Sequence, residues 1–85
     1  MIVHHRLVGY SPETDRMVES YDIPRPLLER AAAIAEVGDD DPEAAWSYVL
    51  SPIQAREIAA LLGMPIDLER LEFFLEAFTS SGKAA

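Results

Sequence analysis

The sequence predicts an α+β fold in the order β-β-α-β-α-α: a small three-stranded antiparallel sheet with helices packed on one face. Three observations carry that expectation. Two stretches rich in β-branched and aromatic residues flank a proline-containing turn near the N-terminus. Three later stretches repeat their apolar residues at helical spacing. Oxygen-bearing cap residues, Ser51 and Asp67, stand immediately before two of those three.

Ile2 to Tyr10 and Met17 to Ile23 read as a hairpin, joined through Ser11-Pro12-Glu13-Thr14-Asp15. Pro12 suits the second position of a type I turn because its ring already holds the φ that position needs. Neither strand alternates cleanly, so the pattern leaves the buried face open. Pro24 and Pro26 end the second strand, since proline has no N–H for a ladder, and Pro26 suits the first turn of a helix. Leu27 to Val37 continues that helix, with Leu27, Leu28, Ala31, Ala32, Ile34 and Ala35 on one side. Gly38 is placed to close it in the left-handed conformation.

Asp39 to Glu43 holds four carboxylates in five residues, and their mutual repulsion predicts a solvated loop. Ala45 to Leu50 then alternates, Trp46, Tyr48 and Leu50 against Ser47 and Val49, as a third strand pairing with the hairpin. Ser51-Pro52-Ile53-Gln54 is a capping box with proline at the first helical position. Ala55, Ile58, Ala59 and Leu62 form the apolar stripe of that helix, which Gly63 stops. Pro65 prevents Met64 from continuing it. Asp67 predicts the cap of a last helix, stapled by Ile66 against Leu71, with Leu68, Leu71, Phe74, Leu75 and Phe78 facing the core. Phe73 falls outside that band, among Glu69, Arg70, Glu76 and Ala77. The domain is expected to span 1–78, with 79–85 as a flexible tail.

Fifteen Asp+Glu against seven Lys+Arg leave a net charge of −8. Residues 36–85 carry most of it, with ten acids against three bases. Nucleic acid and anionic membranes are poor partners for such a surface, because binding either requires Lys and Arg to displace counterions. A basic protein would be steered toward it. The chain has no cysteine, which removes disulfides and thiolate chemistry and suits the cytoplasm. Neither a signal peptide nor a membrane-length apolar run is read in it.

No catalytic motif emerges. The contiguous acids at 39–43 lack the alternation and turn glycine of a calcium loop. His4 and His5, adjacent in a strand, point to opposite faces and cannot share a metal. Glu69, Glu72 and Glu76 make a surface stripe in the helical reading, and without burial nothing separates their pKa values for acid–base work. No cofactor is expected, and the chain is read as not an enzyme. For Phe73 two readings stay open: packing against the sheet edge or under the tail, or a surface anchor within an acidic ring.

Several segments resemble a group of small bacterial domains of uncharacterised function: RLVGYSPETDRMVESYDIP (6–24), DDDPEAAWSYVL (39–50), SPIQA (51–55) and DLERLEFFLEA (67–77). The chain departs from their pattern in having Ile53 and Leu71 where Glu and Tyr are expected. The resemblance implies a single α+β domain and brings no catalytic residues. By analogy it points to immunity-type proteins that neutralise toxins.

The expected function is therefore a non-catalytic acidic domain that binds a basic protein, such as an immunity-type inhibitor of a toxin or nuclease. Asp39, Asp40, Asp41, Glu69, Glu72 and Glu76 would steer the partner and Phe73 would anchor it. The alternative is a self-associating structural module that forms a homodimer.

Overall fold

The computed structural model describes residues 2–38, 40–41 and 47–80. Among them the chain forms β1 (Ile2–Tyr10), β2 (Met17–Ile23), α1 (Arg25–Ile34), β3 (Tyr48–Val49), α2 (Pro52–Leu62) and β4 (Glu72–Ser80). The α+β class holds, but the sheet has four antiparallel strands in the order β2-β1-β4-β3. The fourth strand is the segment whose spacing predicts a helix. It enters at the centre, between β1 and β3, so the third strand pairs with β4 and not with the hairpin.

The reason lies in Phe73. On a helix it has no place in the core band, whereas period-two alternation sends Phe73 and Leu75 to one face and Phe74, Glu76 and Phe78 to the other. Phe73 and Leu75 are 2% and 0% exposed, and Phe73 is the largest fully buried side chain among the described residues. Nine cross-strand pairs, from Ile2 with Ser80 to Tyr10 with Glu72, satisfy the strand's backbone on the β1 side. Thr79 and Ser80, which the sequence pattern assigns to the tail, extend this strand. The Asp67 cap is nonetheless real. Its Oδ1 accepts from the N–H of Glu69 (3.1 Å) and Arg70 (3.3 Å), holding one turn before the chain straightens.

The hairpin follows the sequence pattern, with β1 and β2 in the expected bounds and Asp15 at φ 58° completing the turn. Trp46 and Ala45 of the predicted third strand lie outside the described residues, and β3 is limited to Tyr48–Val49. α1 ends earlier than its pattern suggests. Glu36, not Gly38, takes the left-handed conformation (φ 59°), and the Val37 N–H closes back on the Ala32 carbonyl.

α2 forms as its capping box requires. The Gln54 N–H donates to Ser51 Oγ (3.1 Å), and the Ser51 N–H to Gln54 Oε1 (2.8 Å). Gly63 closes the helix at φ 70°. Gln54 also donates through Nε2 to the Ile34 carbonyl (3.0 Å), tying the start of α2 to the end of α1. Both helices pack on one face of the sheet, where Leu7, Ile23, Phe73 and Leu75 meet Ala31, Ala35, Ala55, Ile58 and Ala59. The four alanines let the helix backbones approach the sheet and each other closely. Gly9 is opposite Phe73 on this face, and a Cβ there would come within 2.8 Å of the phenylalanine ring.

Candidate interaction face

The opposite sheet face carries no helix among the described residues, and its composition follows from the two central strands. Direct cross-strand partners share a face, so His4 with Phe78, Arg6 with Glu76, Val8 with Phe74 and Tyr10 with Glu72 all point outward. Asp22 extends the Arg6 row through β2, and Val49 extends the Val8 row through β3. Val49 is 69% exposed, while Phe74, Phe78 and Tyr10 are half-buried. Val8 is almost fully covered even though it faces away from the helices.

Two aromatic clusters organise this face. In the first, His4 stacks on Phe78 with ring centroids 5.0 Å apart. The Arg6 guanidinium lies 3.8 Å from the Phe78 centroid, and its Nε pairs with Asp22 at 3.2 Å. In the second, Tyr10 meets Phe74 edge-on at 5.5 Å and donates its hydroxyl to both Glu76 oxygens (3.0 and 3.1 Å). Ser47 Oγ adds a second donor to Glu76 at 3.3 Å. Burial, reinforced by the Glu76 hydrogen bond and charge, raises the Tyr10 pKa further above its ordinary value. A groove of about 270 Å³ opens over this second cluster, lined in part by Tyr10, Phe74, Glu72, Glu76, Asp15 and Pro12.

The residues expected to bind a partner are distributed differently from the sequence reading. Glu72 and Glu76 share the open face, with Phe74 between them. Glu69 sits in the turn before β4, on a separate cleft of about 560 Å³ with Glu13, Glu19, Asp67 and Arg70. Phe73 is in the core, so it presents no surface for an anchor. Phe74, between Glu72 and Glu76, and Phe78, beside Glu76, take the outward place that the helical spacing gives to Phe73. Their signal was present in the alternation E-F-F-L-E-A-F, but a helical period hides it.

The acidic loop is not uniformly solvated. Asp40 is exposed, but Asp41 is 6% exposed and accepts a hydrogen bond from the Tyr48 hydroxyl. A carboxylate can leave water when a donor replaces its hydration, and β3 supplies one here. That bond to Asp41, then burial and the charges of Asp41 and Asp40, push the Tyr48 pKa up to about 12. Asp39 and residues 42–46 lie outside the described residues. Among the described residues no group of three or more His, Cys, Asp or Glu could hold a metal ion, and no helix is long and apolar enough to cross a membrane.

Comparison with known proteins bears on the family alone. No curated protein and no solved structure matches the chain. The model of one family, described as a domain of unknown function (DUF7683), matches residues 4–76, and the chain, with its hairpin, two helices and central fourth strand, belongs to that family.

Proposed function

We propose that this is a non-catalytic protein-binding domain that docks a basic partner on the open face of its sheet. The observation that carries the reading is the outward row Glu72, Phe74, Glu76 and Phe78, uncovered by either helix, in a chain of net charge −8. Aromatic residues in a partly desolvated patch supply much of the energy in protein interfaces. Carboxylates around them speed the approach of a positively charged partner and disfavour anionic ones. An immunity-type inhibitor of a toxin or nuclease fits this chemistry, since its carboxylates would stand where a nuclease receives phosphates. The cytoplasm is the compartment such a cysteine-free protein suits.

The test is capture of a basic protein from native lysate at low and raised salt, followed by purified rebinding to surface variants. Salt-sensitive rebinding that Phe74→Ala and Glu72→Lys abolish supports the docking face. Rebinding that neither variant weakens removes it.

A second reading rests on β2, an edge strand on which Met17 and Val18 are 51% and 57% exposed. An unpaired edge can add a second copy of the chain by strand pairing. Sedimentation would then give a dimer at micromolar concentration, insensitive to salt and to Phe74→Ala.

A further inference from the structure

Two aromatic clusters lie on the open face, and among the described residues only one of them holds a cation. Phe78 has the Arg6 guanidinium over its ring, with Asp22 as counter-charge. Four residues earlier on the same strand and the same face, Phe74 packs T-shaped with Tyr10 and has Glu72, Glu76 and Asp15 around its groove. Among the described residues no basic side chain lies within 4.0 Å of any of those three carboxylates. Arg6 is the direct cross-strand neighbour of Glu76, yet it turns to Asp22 and Phe78 instead.

Glu76 is also prepared to receive a donor. It is half-buried, and the Tyr10 and Ser47 hydroxyls fix its carboxylate in place. Those neutral donors use part of its acceptor capacity and leave its charge unbalanced; two carboxylate oxygens offer about four lone-pair sites. The geometry points to a guanidinium slot: an arginine side chain of the partner seats over Phe74 and Tyr10 and donates to Glu76 and Glu72. Arginine suits it better than lysine because the planar guanidinium stacks on an aromatic ring while its fork meets a carboxylate. The slot rests on the docking reading above and names the side chain that reading leaves unspecified.

The probe is N-acetyl-arginine methylamide, titrated into the isotope-labelled full chain and followed by NMR. Saturable shifts centred on the Tyr10 and Phe74 ring signals are expected, absent with the neutral citrulline analogue. Glu76→Gln, which can keep the Tyr10 bond, should weaken binding about tenfold, as removal of one charge-assisted hydrogen bond does. Glu72→Gln, at an exposed position, is the second variant and should weaken binding as well. Shifts spread equally over Asp40, Glu69 and other exposed acids, with no saturation at Tyr10, would overturn the slot. So would equal binding of the citrulline analogue, or a clear preference for the lysine analogue. If the captured partner needs Phe74 while the probe ignores the groove, the docking face stands and the slot falls. If the probe fills the groove while partner binding ignores every open-face variant, the groove takes a guanidinium, but the docking reading falls and with it the assignment of that guanidinium to the partner.

Discussion

Phe73 and Phe74 are identical side chains one residue apart, and they lead opposite lives. The first lies over Gly9 beneath two helices and is 2% exposed. The second sits half-buried on the face away from the helices, with Tyr10 packed T-shaped against it and a carboxylate on either side in its row. The lesson is that β4 supplies the core and the candidate interface at once. Core packing lies on one face of that strand and the proposed docking surface on the other, so substitutions one residue apart should separate the two properties.

Phe73→Ala is the largest break. It removes the largest fully buried side chain among the described residues and should cost about 3–5 kcal/mol, a large share of the stability of a domain this small. A urea melt would measure it. A loss below about 1 kcal/mol would mean that the ring is not packed as described. Gly9→Ala presses on the same ring from the opposite strand, where the added methyl meets Phe73 at 2.8 Å. The expected loss is about 1–3 kcal/mol, the usual cost of overpacking. An unchanged denaturation midpoint would show that Phe73 yields freely.

Alkaline titration sharpens the contrast through two tyrosines. Tyr48 bonds the buried Asp41 and has its pKa raised to about 12; Tyr10, on the open face, is raised by burial and Glu76. The folded protein holds the Tyr48 proton more tightly than the unfolded chain does. The stabilisation is therefore complete below pH 10 and is lost as pH climbs through about 12. Thermal midpoints measured across that range should fall, and Tyr48→Phe should flatten the fall more than Tyr10→Phe. Equal slopes in the two variants would count against the Asp41 bond. A smaller stability effect than that of Phe73→Ala belongs to Phe74→Ala, at about 1–2 kcal/mol, because this ring is only partly buried. The same variant should give the largest loss of partner binding. A cost matching that of Phe73→Ala would erase the distinction between the faces.

Much of this architecture can be read locally. Ser51, Pro52 and Gln54 need only one another to start α2, and Gly63 needs only its own missing side chain to end it. The hairpin likewise follows from β-branched runs and Pro12, because turn and strand preferences act over a few residues. Asp67 also organised its own turn, but a cap nucleates one turn and does not extend it. Beyond Arg70 the same residues satisfy an apolar helical band and an alternating strand, and local preference does not separate them.

The sequence by itself determined the α+β class, the hairpin, the helix at 52–62 and the acidic charge. Tertiary structure decided the rest. The backbone slot between β1 and β3, together with the space over Gly9 that Phe73 fills, made residues 72–80 a strand. That choice sent Phe74, Glu76 and Phe78 to the open face. It was made by cross-strand hydrogen bonds and packing between segments some seventy residues apart, which no short window of sequence contains.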